Sequence, residues 1–395
     1  MDHYKPLGIY VHIPFCKSKC QYCDFYSLGG PKEKQLTQDY TAALIRHIEE
    51  TSIHATSYEV DTVYFGGGTP SYFGDDELRR ILAELDKRFV VRRDAEITLE
   101  ANPDSIKESA LERLRRAGFN RISIGIQTNN DEQLKAIGRP HTFQNAKDAV
   151  QAARSAGFEN LSVDLIYGLP GQTRDQWAIA LQEIIKLNPE HISCYGLRVE
   201  KGTPLYEYRD CANLPDDDAQ ADMYLYTCET LANFGWNQYE ISNFAKPGFV
   251  SRHNMKYWTG GEYLGFGPSA ASDFGGKRYT YQRSLRSYID GILGGSSLLS
   301  ECERIPLRER AGEYLMLRLR TALGVEAEEY HRLFRMDFEP LENFFRKLEA
   351  HHYAVKDGKR WRLTPEGFLI SNQIIITLQE AQRDSLGSWI DLSEL

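Results

Sequence analysis

Tyr10-Val-His-Ile-Pro-Phe-Cys16-Lys-Ser-Lys-Cys20-Gln-Tyr-Cys23-Asp-Phe25 is the stretch on which the reading of this chain turns. An apolar, strand-like run over residues 8–13 leads into three cysteines within eight residues, spaced C-x3-C-x2-C. Thiolates bind soft metals, and iron–sulfur clusters are held mainly by cysteine sulfur. Three local cysteines would hold three irons of a [4Fe–4S] cubane and leave the fourth open to a small-molecule ligand. Two other readings stand beside this one. The trio is also most of a zinc site awaiting a remote fourth ligand, or simply a set of loop cysteines. C-x2-C pairs dominate zinc sites, so the wider first spacing leans towards the cluster.

Outward from that stretch, strand-like runs alternate with amphipathic helical patterns. Strands are expected over residues 8–13, 60–65, 95–100, 121–126, 161–167 and 191–197. Helices are expected between them, over 36–50, 76–88, 106–116, 145–156 and 173–187. Asp75 and Ser105 are the candidate caps of the second and third helices, while Gly118 and Gly157 stop the third and fourth. Strand–helix repeats of this length imply parallel strands with right-handed crossovers. The fold class is therefore α/β: a partial (β/α)6 barrel over residues 1–235. A less regular, glycine- and aromatic-rich connecting region follows over 236–305. A smaller α+β domain over 306–395 closes the chain. Its helices (307–322, 327–334, 339–351) precede an Asp357-Gly358 hairpin signal, which gives it a winged-helix-like end.

With 395 residues, 42% of them hydrophobic and 26% charged, the chain has the composition of a soluble globular protein. It shows neither a signal-peptide pattern nor an apolar run of bilayer length. Seven cysteines without an export signal suit a reducing cytoplasm. Cys194, Cys211, Cys228 and Cys302 are read as structural. A net charge of −9 argues against nucleic acid as a partner.

In βα barrels chemistry gathers at the carboxyl ends of the strands. Here those ends carry the cysteine loop, Gly66-Gly67-Gly68-Thr69-Pro70-Ser71, Glu100, Gln127, Asp164 and the stretch 195–198. Glycines let backbone approach a ligand closely. Charges near a barrel mouth need partners: an amino-acid cation and a ribose diol would suit them. Equally, Arg139 of Gly138-Arg139-Pro140 would pair structurally with Glu100 or Asp164.

Taken in order, Tyr10-x-His12-Ile-Pro-Phe-Cys16-x3-Cys20-x2-Cys23, Gly66-Gly67-Gly68-Thr69-Pro70-Ser71, Glu100-x-Asn102-Pro103, Gly125-x-Gln127, Gly138-Arg139 and Asp164-Leu-Ile-Tyr-Gly-Leu-Pro170 resemble the radical S-adenosylmethionine (SAM) superfamily. More narrowly they are similar to its oxygen-independent coproporphyrinogen III oxidase-like group. The resemblance implies a [4Fe–4S] cluster on Cys16, Cys20 and Cys23, with the amino and carboxylate groups of SAM on the open iron. It further implies SAM contacts at Tyr10, Tyr22, Gly67, Gly68, Thr69, Glu100, Gln127, Arg139, Asp164 and Arg198. Two departures set this chain apart from the oxidases of the group. Their motif adds a cysteine where Phe25 stands, and they carry a long extension where only fifteen residues precede Cys16.

His253-Asn254-Met255-Lys256-Tyr257-Trp258 instead resembles the signature of the haem-chaperone branch. That resemblance implies haem binding through His253, Asn254, Tyr257 and Trp258, and transfer to an acceptor haemoprotein, a membrane-bound respiratory one among the candidates. The cluster and SAM would enable or regulate the transfer, through a homodimer in one version. Histidine is a common axial ligand of haem iron, and cations suit its two propionates. Arg252, Lys256, Lys277, Arg278, Arg283 and Arg286 supply such cations nearby. His253 reads equally as a packing histidine. The rival expectations are porphyrinogen decarboxylation by an adenosyl radical, and radical chemistry on another substrate.

Overall fold

A computed structural model describes residues 4–211, 213–296 and 298–385. They fall into two compact units. One comprises Met1–Asn237, Ser242–Lys256 and Gly261–Arg304; the other comprises Gln238–Ile241, Tyr257–Gly260 and Ile305–Leu395. No helix among the described residues is long and apolar enough to cross a membrane.

The first unit is built on one large sheet. Its first six strands are β1 (Lys5–Ile13), β2 (Tyr58–Gly67), β3 (Val90–Ala101), β4 (Arg121–Gln127), β5 (Asn160–Tyr167) and β6 (His191–Gly196). They pair in sequence order, all parallel. The crossovers are α1 (Lys34–Ser52), α2 (Asp75–Arg88), α3 (Glu108–Ala117), α4 (Phe143–Ser155) and α5 (Arg174–Lys186). This is the expected (β/α)6 run.

Parallel strands covered on both faces should be buried throughout, and β4 is buried at every residue. Alternation then sorts the two faces. Ile9 and Val11, Val63 and Phe65, Leu99, and Ile122 and Ile124 are fully buried and apolar. The opposite face is polar. In-register partners share a face in a parallel sheet. Thr62 pairs with Glu96, Thr98 with Arg121, Glu100 with Ser123, Gly125 with Asp164 and Asp164 with Ser193. A row of charges and hydroxyls therefore lines the concave side, and the helices seal the other.

The region 236–305 is more than a connector. Residues Asn243–Ala245 form β7, antiparallel to β6. Next to β1 lies β8 (Tyr263–Phe266), parallel to it, followed by the antiparallel β9 (Ala271–Phe274), β10 (Lys277–Tyr281) and β11 (Leu299–Glu303). These strands are only three to five residues long, so no period of two accumulates in the sequence.

Two caps differ from expectation. Asp75 is the first residue of α2, not its cap, and its carboxylate accepts from Arg113 Nε at 2.6 Å. Ser105 sits in a 3-10 turn, Pro103–Ser105, and donates to the Asn102 carbonyl (2.9 Å); Lys107 flanks α3 instead. Gly118 takes the left-handed conformation that ends α3, as expected.

The second unit holds α9 (Leu307–Arg318), α10 (Ala327–Phe334) and α11 (Glu339–Ala350), numbered after α6 (Asp217–Asn233), α7 (Arg252–Thr259) and α8 (Leu285–Gly294). A three-stranded sheet follows: β12 (Val325–Glu326), β14 (Arg360–Leu363) and β13 (Ala354–Asp357), with Gly358 at positive φ in the hairpin. Trp361 stacks on Phe345 at 5.4 Å and donates to Glu342 (2.7 Å). Helices with a small antiparallel sheet form the winged-helix-like end.

Candidate functional site

The chain leaves β1 at Ile13 and folds the cysteine loop back over the strand ends. Phe15–Cys16 pairs with Leu28–Gly29, which closes the loop at its base. Its middle is pinned by backbone bonds from Gln21 N–H to the Ile137 carbonyl (3.1 Å) and from Leu205 N–H to the Gln21 carbonyl (2.9 Å). Tyr22 packs against the apolar cluster of Ile137, Ile166, Leu169, Leu197 and Leu205.

Cys16, Cys20 and Cys23 all open on one cavity of about 460 Å³. Among the described residues no three His, Cys, Asp or Glu side chains are gathered closely enough to chelate a single ion. Burial pushes the Cys16 and Cys23 thiols up from their ordinary value. The other described cysteines are separate from this loop: Cys194 and Cys228 are buried and Cys302 is exposed. The side chain of Cys211 lies outside the described residues.

Of the residues expected to contact SAM, Tyr22, Gly67, Gly68, Thr69, Glu100, Gln127, Arg139, Asp164 and Arg198 line the same cavity. Asn254, expected to contact haem, lines it as well. Tyr10 is not part of the lining. It lies on β1, where its hydroxyl meets His12 Nδ1 (3.0 Å) and its ring stacks on Tyr64.

A hydrogen-bonded chain runs around the cavity. Arg139 donates to Asn102 Oδ1 (2.8 Å) and to the Tyr22 hydroxyl (2.7 Å). Asn102 Nδ2 donates to Thr69 Oγ1 (3.0 Å), and Thr69 donates to Cys16 Sγ (3.4 Å). The guanidinium thus serves neither Glu100 nor Asp164, which removes the structural ion pair considered above. Its Nε is buried with no partner. Asn102 is the residue the sequence reading left without a role. Its signal was its position, two residues beyond Glu100 and just past the end of β3.

Glu100 accepts from the Tyr64 hydroxyl (2.8 Å) and from Gly67 N–H (3.2 Å), yet burial raises it to about 7. Burial also raises Asp164, against hydrogen bonds from Ser193 and Ser123 (3.1 Å). Two buried acids that burial raises more than Arg121 and Arg139 lower them favour a cationic ligand. The donor set therefore fits a cluster on the thiols and an amino-acid-bearing cation beside it.

The glycines have a second reason. A Cβ on Gly67 would stand 2.5 Å from the His12 ring, and one on Gly68 would stand 2.7 Å from the Ile13 carbonyl. Gly67 also holds φ at 109°. Backbone proximity to β1, as well as access to a ligand, requires glycine there.

His253 lies on α7 in a different setting. Its ring is 1% exposed, stacks on Tyr64 at 5.1 Å, and shares a hydrogen bond between Nδ1 and Thr62 Oγ1 (2.9 Å). Glu96 accepts the backbone N–H groups of Arg252 (3.1 Å) and His253 (3.0 Å), which seats the helix start on the concave face of the sheet. Burial lowers His253 to about 3, so the imidazole is neutral. Tyr257 and Trp258 belong to the second unit.

A parallel βα sheet with three thiols over its carboxyl ends defines a radical SAM protein, and residues 10–184 match the Radical SAM superfamily. Residues 305–370 match the HemN C-terminal domain. Among solved structures, coproporphyrinogen III oxidase (HemN) from Escherichia coli is similar in fold, with a TM-score of 0.82 at 24% identity over 95% of this chain and 90% of that one. The Heme chaperone HemW of Lactococcus lactis is 34% identical over 94% of this chain and 96% of its own length. The proteins of that name from Escherichia coli and Haemophilus influenzae are also 34% identical, over 94% and 95% of this chain. At that identity over nearly the whole length, the chain belongs to the HemW family of the radical SAM superfamily.

Proposed function

We propose that this protein is a haem chaperone that binds haem and delivers it to an acceptor haemoprotein. A [4Fe–4S] cluster on Cys16, Cys20 and Cys23 and SAM in the adjoining cavity would enable or regulate the transfer. The observation that carries the reading is the near-full-length identity to proteins named heme chaperones, together with a cavity whose donors suit both groups.

When bound, the cluster supplies one open iron for the amino and carboxylate groups of SAM. The chain's own residues do the rest. Glu100 and Asp164 provide negative charge for the cationic part of SAM, and Thr69 and Asn102 orient Cys16 and Arg139 at its edge. Tyr22, fixed by Arg139, keeps the loop between Cys20 and Cys23 closed over the apolar cluster. His253 belongs to the proposed haem motif. In the conformation described here its ring is enclosed, so iron ligation through it requires α7 to move.

Haemin titrated into anaerobically purified protein should develop a Soret band, and His253→Ala should weaken it. Absence of any band from the wild-type protein would sink the chaperone reading. Reduced protein given SAM and coproporphyrinogen should form no protoporphyrinogen; steady turnover would reinstate the oxidase. Cytoplasmic location and a homodimer belong to the same proposal, and light scattering with and without haemin tests the second.

A further inference from the structure

A second cavity, of about 600 Å³, lies beside the first and shares Lys19, Cys23, Asp24 and Glu200 with it. Three cations line it: Lys19, Lys201 and Arg283. Lys19 donates to the Phe25 carbonyl (3.3 Å) and Arg283 to the Asp24 carbonyl, and neither is paired with a carboxylate among the described residues. Two carboxylates, Asp24 and Glu200, share the cavity, but Glu200 is paired with Arg198 (3.7 Å). Three cations against two carboxylates, one of them already paired, leave the cavity net positive, which favours an anionic ligand.

The basic residues after position 250 sort themselves accordingly. Arg252 pairs with Asp94 (3.8 Å), Lys256 with Asp61 (2.7 Å) and Arg278 with Asp273 (3.0 Å). Arg283, by contrast, is carried by the segment after β10 to the cysteine loop. Aromatic surface stands at the same place: Phe25 is 66% exposed at the rim of the first cavity, and Tyr206 lines the second. Cations and exposed aromatic surface within the same pair of adjoining cavities suit a flat apolar ring that bears carboxylates along one edge.

We infer that this second cavity is the docking site for the propionates of haem, with Lys19, Lys201 and Arg283 as their partners and Phe25 against the ring. The inference rests on the haem reading above. It seats the propionate edge of the tetrapyrrole beside Cys23 at the mouth of the barrel, and His253 reaches the iron only when α7 moves.

The test is haemin titration of cluster-loaded protein carrying Lys19→Gln, Lys201→Gln or Arg283→Gln, with iron and sulfide content confirming the cluster in each. Every variant should bind haemin about tenfold more weakly, the worth of one charge-assisted contact. Haemin dimethyl ester should bind the wild type weakly and the variants no worse. Lys201→Glu keeps the test sound, because that side chain makes no described contact on which folding could depend, and it should weaken binding further. Wild-type haemin affinity in all the variants would overturn the inference and leave the haem reading intact. No haemin binding by the wild type would overturn both. Weaker SAM binding by the variants, with haemin affinity unchanged, would assign the cations to an amino-acid carboxylate and overturn the haem assignment.

Discussion

Thr69 has one hydroxyl and two neighbours that use it. Asn102 donates to its oxygen, so its proton is directed at Cys16. Hydrogen bonds to cluster sulfur raise the reduction potential by stabilising the more negative, reduced state. Thr69→Val should therefore shift the potential of the reconstituted cluster to more negative values in an EPR-monitored titration; an unchanged potential would show that the hydroxyl serves only packing. Glu100 gives a second prediction. Burial holds it at about 7 against an ordinary 4.5, so the folded apoprotein keeps a proton that the unfolded chain releases. Through this group stability is full below about 4.5 and declines as pH rises towards 7. A cationic ligand reverses the preference by favouring the carboxylate. SAM affinity should thus rise between pH 5.5 and 7.5, and Glu100→Gln should flatten both dependences in calorimetry.

At the scale of elements, the junction of β1 and β2 decides how the cavity is framed. Gly67 combines a φ of 109° with a Cβ position only 2.5 Å from His12. Gly67→Ala should cost on the order of 2–4 kcal/mol in denaturant unfolding. Adding His12→Ala should recover only part of that, because the backbone conformation remains unfavourable; full recovery would mean that the contact alone matters. The start of α7 is the second such element. Glu96 accepts two N–H groups there, so Glu96→Gln should lower stability by about 1 kcal/mol and expose His253, which faster histidine exchange in NMR would report. These roles were only partly readable in advance. Glu100 and Gln127 were legible because a polar residue at the end of an apolar strand stands out, and Asp164 as the lone acid inside the apolar run of β5. Glu96 lies deeper in the same strand, and its partner is a helix 156 residues later.

At the scale of the molecule, buried histidines set the response to acid. Burial lowers His12 to about 4, and His47 and His253 to about 3. His47 is enclosed by the hydroxyls of Tyr288 (2.7 Å) and Tyr281 (2.9 Å). Below about 6.5 the unfolded chain takes up protons that the folded protein refuses, so stability declines as pH falls from there towards 3. At pH 5 each such histidine costs about 2 kcal/mol, which outweighs the opposing contribution of Glu100. The apoprotein's Tm should fall steeply between pH 7 and pH 5. A flat profile would mean that these rings are hydrated in solution.

The sequence alone determined the βα order, the glycine that ends α3 and the residue types gathered at the strand ends. All of these rest on local periodicity and backbone preference, which a linear pattern carries. Only the tertiary structure decided which of those residues meet. It gave Arg139 to Asn102 and Tyr22 instead of to an acid, added the strands of residues 243–303 to both flanks of the parallel run, and enclosed His253 while leaving Lys19, Lys201 and Arg283 facing a cavity. Those outcomes depend on contacts between residues tens to hundreds of positions apart, where strand register and helix placement choose among partners of equal chemistry.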